Sequence, residues 1–414
     1  MQNTKTILAA VIALIIGFAA GIALAPFISP ATQAKGRQLP EEIPIGGLFA
    51  LSGPLSSYGN RHKAAVQLAI EDINKYVQEL GLNVKFKLID MDTKVSKEQA
   101  LASIQNLAAQ GVKVVVGPLA SSEVAAVKDF ADQNKIVVIS HSSTAVTLAI
   151  PNDFIFRFVP TDKYQARALA LLAKKLGLSK VAVIYRGDEW GTGLYQLFEQ
   201  EFTAMGGEVK AIKYDPESKE LSAEVRQLSD IVKSMGQGAG VLAICFEDDG
   251  VAILTAAKND PVLTNVPWMG TDGLALSNKV IQNAGDAAVS LGGVYSTIFT
   301  PPKSSKYEAF RRRMKEITGE EPDSYSYNIY DATWVAALAI LEAGTYDGEI
   351  IQKILTDVAS RYFGVSGWTL LNENGDRVGG DYVIYKVVQK DGGYSWTVAG
   401  YYRISLDKVE LAGE

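Results

Sequence analysis

Val114-Val115-Val116-Gly117-Pro118-Leu119-Ala120-Ser121-Ser122 and, further along, Ile136-Val137-Val138-Ile139-Ser140-His141-Ser142-Ser143-Thr144 end in the same way. Each apolar run has the character of a strand buried on both faces of a parallel sheet. Each then gives way to a small, hydroxyl-bearing loop that opens a helix. Loops at the carboxyl ends of parallel strands are where open α/β sheets hold ligands. Hydroxyls and free N–H groups at a helix start suit an anion such as a carboxylate. One such loop alone would pass for a Ser/Thr N-cap. Two in adjacent βα units point to a site.

Outward from these loops, strand and helix alternate from 44 to 299. A strand over 44–51 leads to a helix over 60–80, whose Val66, Ala69, Ile70, Ile73, Val77 and Leu80 share one face. After a strand over 84–89, Ser96-x-x-Gln99 is a capping box for the helix that Gly111 closes. The pattern restarts with a helix over 164–176 and strands over 181–185, 208–212, 241–246 and 266–269, separated by helices. An extended stretch over 294–298 precedes helices over 306–317 and 327–342. Gln389-Lys390-Asp391-Gly392-Gly393 joins two alternating runs as a hairpin.

Two βα runs imply an α/β protein of two doubly wound, Rossmann-like lobes joined by a hinge. The expected division is 43–158 plus 300–362 for the first lobe and 159–299 plus 363–406 for the second, with 154–160 as a crossing. A ligand would lie in the cleft between the lobes, buried by hinge closure.

Composition narrows the function. The chain has 414 residues, 48% hydrophobic, and a net charge of −6. Without basic clustering on the scale that phosphate neutralisation demands, nucleic acid is not an expected partner. Arg311-Arg312-Arg313 sits in a helical stretch and suits a solvated face. Residues 1–34 form a signal peptide or an N-terminal membrane anchor. Their apolar core, 7–25, is about 19 residues, a length that favours the anchor. Either way the rest is exported. Cys245 is the single cysteine and reads as a buried structural thiol.

Enzyme chemistry finds little support. Gly191-x-Gly193 is half a dinucleotide fingerprint without its third glycine. The two histidines, His62 and His141, show no metal-ligand spacing, and His141 is expected to pack at its strand end. Asp90 and Asp92 end a strand, where solvated acids are common. No cofactor, metal or catalytic residue is expected.

Gly47-Leu-Phe-Ala-Leu-Ser52-Gly53-Pro54-Leu-Ser-Ser-Tyr58-Gly59, followed by Ile70-Glu71-Asp72-Ile73-Asn74, resembles the start of type I periplasmic binding proteins. The likeness is to their leucine/isoleucine/valine-binding branch, which serves ABC importers, and it extends over 43–404. It implies that Ser121 and Thr144 offer hydroxyls to a ligand carboxylate, with N–H groups of Ser121, Ser142 and Thr144 completing the cradle. It places the ligand ammonium on Asp272 in Gly270-Thr271-Asp272-Gly273, where the family's glutamate is expected. Tyr58, Trp190 and Phe246 would form the pocket wall, the last two standing where tyrosines are usual. Tyr325 is a further candidate for the side-chain end. Glu247 is expected in a solvated loop, and Tyr76 on a helix face.

The resemblance implies capture of an amino acid or related small amide for an ABC permease. The alternative is a sensing receptor domain of the same fold that signals through a separate partner. The strand pattern runs nearly to the last residue, which favours transport.

Overall fold

The computed structural model describes residues 39–413. The expected signal or anchor segment, 1–34, lies outside the described residues. Among the described residues no helix is long and apolar enough to cross a membrane.

The first sheet is wholly parallel. It comprises β1 (Glu42–Phe49), β2 (Lys85–Asp92), β3 (Val114–Val116), β4 (Val137–Ser140) and β5 (Ile155–Arg157), in the order β2-β1-β3-β4-β5. Its connecting helices are α1 (Ser56–Glu79), α2 (Lys97–Ala109) and α3 (Ser121–Asn134). Ser96 caps α2 by accepting the Gln99 N–H, as its capping-box pattern predicts. Stretch 154–160 is more than a crossing: Ile155, Phe156 and Arg157 are buried and extend the sheet by one strand.

The second sheet begins with α4 (Asp162–Lys175) and β6 (Lys180–Arg186). It continues through α5 (Glu189–Ala204), β7 (Glu208–Tyr214), α6 (Ser222–Met235), β8 (Ala239–Ile244), α7 (Glu247–Ala257), β9 (Trp268–Gly270), α8 (Asn278–Ser290) and β10 (Tyr295–Phe299). Strands β7-β6-β8-β9-β10 are parallel neighbours, which repeats the order of the first sheet. In both sheets the strand order reverses beside the first strand, and the crevice at such a reversal is where doubly wound sheets bind ligands.

The chain then returns to the first sheet with α9 (Ser305–Thr318), α10 (Ser324–Ala343) and α11 (Gly348–Ser360). Arg313 of α9 and Tyr330 of α10 both bond Asp72 on α1. The sequence reading had not marked α11, which Asp347 caps. The short ribbon β11 (Phe363–Gly364) and β12 (Gly367–Trp368) was expected with the second lobe. It rests instead on α10, where the buried Asp331 carboxylate accepts the Val365 and Ser366 N–H groups at 2.9 and 2.7 Å.

After this third passage, β13 (Tyr382–Lys390), β14 (Gly393–Arg403) and β15 (Lys408–Leu411) add antiparallel to β10. Asp391 and Gly392 turn the hairpin with φ of 53° and 79°, the left-handed pair a type I′ turn requires. One apolar cluster runs from Leu55, Tyr58 and Leu119 beside the first sheet to Trp190, Phe246 and Ile244 of the second. The two halves are therefore packed face to face.

Candidate ligand-binding site

The two hydroxyl-bearing loops lie side by side because β3 and β4 are neighbours. Ser140 Oγ donates to Pro118 O and Ser142 Oγ to Leu119 O, each at 2.7 Å. Ser121, the first residue of α3, is their meeting point. Its Oγ accepts the Thr144 and Ala145 N–H groups at 3.2 Å and the Ser143 hydroxyl at 3.0 Å. The Thr144 N–H expected in the cradle is thus engaged by Ser121. The Thr144 side chain is turned to the buried Asp162 carboxyl, whose pKa it lowers. Arg157 braces the loop from below, its Nη1 donating to Ala145 O at 2.6 Å and its Nε to Asp376 at 2.6 Å.

The facing wall comes from the second sheet. Asp188 caps α5 through the Gly191 N–H at 2.9 Å and so fixes Trp190 in the first turn. Trp190 stacks on Phe246 with ring centroids 5.0 Å apart, and the Arg186 guanidinium covers Phe246's ring at 4.2 Å. Arg186 is itself held by Asp188 at 2.6 Å and by Asp249. An aromatic ring between an indole and an anchored guanidinium is a rigid wall.

Asp272 follows β9. Gly273 beside it allows a close approach, since a Cβ there would stand 2.2 Å from Cys245 O. Asp272 is 7% exposed; its Oδ2 accepts the Tyr325 hydroxyl at 2.6 Å, and Gln165 is a second side-chain donor beside it. Burial pushes its carboxyl up, and the Tyr325 bond pulls it back.

A second acid shares the space. Asp162 opens α4 and is 0% exposed, with the side chains of Thr144 and Trp190 as its neighbouring donors. Its N–H donates to Thr144 O at 2.9 Å, which ties it to the carboxylate-side loop. Burial, then the neighbouring Asp272 charge, hold its pKa well above the usual carboxylate range. The Tyr382 hydroxyl is buried without a partner. The sequence reading missed Asp162, because an acid in the first turn of a helix ordinarily serves the macrodipole.

Five of the seven sequence-predicted residues line one cavity: Tyr58, Ser142, Trp190, Phe246 and Asp272, joined by Tyr325. Ser121 and Thr144 are absent from that lining and stand just behind it. The cavity measures ≈ 30 Å³, room for about two waters. Its two sides are latched. Tyr58 Oη donates to Ala275 O at 2.7 Å, Lys279 Nζ to Gly53 O at 2.9 Å, and Lys97 pairs with Glu189 at 2.9 Å. Glu247, expected in a solvated loop, is instead 0% exposed. It accepts the Ser57 N–H and hydroxyl from across the cleft and the Ser277 hydroxyl at 2.6 Å. Among the described residues no group of ≥ 3 His, Cys, Asp or Glu is placed to hold a metal ion.

Asp272, a hydroxyl-bearing loop and an aromatic wall thus meet at one small cavity, with Asp162 close by. Residues 61–390 match the family described as receptor family ligand binding region. The chain belongs to that family. An uncharacterized protein of Methanocaldococcus jannaschii is 36% identical over 386 residues, spanning 89% of this chain and 91% of its own. Leu/Ile/Val-binding protein homolog 3 of Brucella melitensis is 26% identical, over 76% of this chain and 83% of its own. The solved leucine binding protein LivK of Thermotoga maritima superposes with a TM-score of 0.72 at 22% identity, covering 86% of this chain and 97% of that one. The resemblance to type I periplasmic binding proteins of the leucine/isoleucine/valine branch is borne out, and this receptor-family chain is a ligand-binding protein, not an enzyme.

Proposed function

We propose that the chain captures the zwitterion of an amino acid, or a related small amide, by closure of its two halves, and presents the closed form to an ABC permease on the outer side of the membrane. The observation that carries this reading is the pair Asp162 and Asp272. Both are buried, and burial raises the pKa of each despite the donors beside them. Two neighbouring buried carboxylates are costly, and a bound ammonium offsets that cost at once. The Ser121 loop, at the start of α3, and the Thr144 loop after β4 suit the other end of a zwitterion. Trp190, Phe246, Tyr58 and Tyr325 favour an apolar or small polar side chain between the poles.

A space of ≈ 30 Å³ admits no amino acid without movement. Entry therefore requires the halves to part, and the chain offers three connections for that swing, at 158–161, 300–304 and 369–381. Relatives named for leucine, isoleucine and valine binding support an amino-acid ligand of that class.

The test is a thermal-shift screen of the exported part against the amino acids and small amides, followed by calorimetric titration. A ligand at 100 times its dissociation constant should stabilise the protein by about 2.7 kcal/mol. Stabilisation by sugars and by no amino acid or amide would refute the reading.

A further inference from the structure

The only two histidines of the chain touch each other. His62 lies on α1, and His141 follows β4 directly before Ser142; both are 0% exposed. His141 Nε2 stands 2.8 Å from His62 Nδ1, the rings meeting edge-on with centroids 4.4 Å apart. His62 Nε2 in turn stands 3.1 Å from Oδ1 of Asp323, the N-cap of α10. That carboxylate also accepts the N–H groups of Tyr325 at 2.9 Å and Ser326 at 3.2 Å, and pairs with Arg61 at 3.1 Å.

The proton positions follow from which atoms can donate. Burial pushes the Asp323 carboxyl up, but His62 and Arg61 outweigh it and hold its pKa well below the usual range. An ionised carboxylate only accepts, so His62 carries a proton on Nε2. In neutral His62 the Nδ1 is then an acceptor, and His141 Nε2 must donate to it. This leaves His141 Nδ1 as a bare lone pair, and that atom is buried without a partner. One added proton can be shared along the pair. A second would set N–H against N–H at the 2.8 Å contact and break it.

Both ends of this chain of bonds reach the ligand cavity. His141 adjoins Ser142, a cavity-lining residue, and its carbonyl accepts Asn328 Nδ2 at 3.1 Å. Asp323 fixes the first turn of α10, from which the Tyr325 hydroxyl meets Asp272. The charged and titratable groups facing the histidines are Tyr58 and Arg61 from α1, and Asp323 and Tyr325 from α10. Glu247 and Asp272 act from the opposite half through Tyr58. Burial, and then His62 beside it, hold the His141 imidazole well below its ordinary value.

On the amino-acid reading of the cleft, we propose that Asp323, His62 and His141 form a positioning relay. It ties the carboxylate-side loop to Tyr325, and through Tyr325 to Asp272, so that ligand affinity depends on the protonation of the histidine pair. None of the three touches the ligand; each acts through Ser142 or Tyr325.

With two histidines in the chain, imidazole 15N–1H correlation spectra of the intact protein read both tautomers directly. The expected result is an Nε2–H tautomer for each, with His141 titrating below the ordinary midpoint of about 6.5. An Nδ1–H tautomer on either ring, or an ordinary titration of His141, would overturn the relay whether or not an amino acid binds. L-leucine titrations at pH 8 and pH 5 then test its effect on binding. His141→Leu should weaken binding at pH 8 by about tenfold, the effect of one lost hydrogen bond. His141→Gln restores a donor at the Nε2 position without a titrating group. It should recover most of that loss and show a flatter pH profile than the wild type. Equal profiles for wild type and His141→Gln, or wild-type affinity in His141→Leu, would overturn the proposal. If no amino acid binds the wild type, the reading of the cleft fails, and the claim on affinity falls with it.

Discussion

The Tyr325 hydroxyl lies 2.6 Å from Oδ2 of Asp272, across the cleft between the two halves. One residue from the returning helix α10 therefore aims the acid that the second sheet contributes. Tyr325→Phe removes a hydrogen bond to that acid but leaves the aromatic wall. Amino-acid affinity should fall by about 1.5–3 kcal/mol, the usual contribution of a hydrogen bond to a charged group. Calorimetric titration checks this.

Asp162 should affect binding and stability in opposite directions. Asp162→Asn removes an acid whose ionised form burial and the nearby Asp272 disfavour, so the ligand-free fold should gain stability while amino-acid binding weakens by about 2–5 kcal/mol. The sign with pH follows from linkage. A carboxyl raised in the folded state disfavours folding once the unfolded form ionises, above about pH 3.9. The stability advantage of Asp162→Asn should therefore be present at pH 7 and vanish as the pH falls below that value. Chemical denaturation across pH reads the difference.

Glu247 tests closure without touching the polar ends of the site. It bridges Ser57 of one half and Ser277 of the other, and burial raises its pKa against the pull of those two hydroxyls. Glu247→Ala should weaken ligand binding by about 1–3 kcal/mol through a more populated open form. Small-angle scattering of the ligand-free variant should show a larger radius of gyration than the wild type.

Arg157 and Asp376 are an ion pair at the crossing, each side chain 1% exposed. Removing one member of such a pair strands the other charge. Arg157→Ala should cost about 3–5 kcal/mol of stability in denaturant titration. Replacing both residues with apolar side chains should cost less than that single change.

Particular residues show how far the sequence alone could reach. The strands over 114–116 and 137–139 were legible because their apolar runs are short, continuous and followed by turn and cap residues. Asp272 was legible through its Gly-flanked turn and the family resemblance. Asp162 was not, since its neighbours Thr144 and Asp272 come from other elements and only folding brings them together. Glu247 was misjudged for the same reason: its partner Ser57 lies 190 positions away. Helix α11 carried a signal that went unused, with Asp347 as its cap and Ile351, Leu355 and Val358 along one face. Ribbon β11–β12 was assigned to the wrong side because nothing in its own sequence names Asp331 as its anchor.

The central claim is that two poles, the Ser121 and Thr144 loops and the Asp162–Asp272 pair, grip a zwitterion together. The most direct measurement compares calorimetric titrations of the best-binding amino acid, its decarboxylated amine and its deaminated acid against the wild-type protein. The account predicts tight binding of the amino acid and a loss of at least about a hundredfold, near 2.7 kcal/mol, for each half-molecule. Undiminished affinity for the amine or for the acid would contradict it.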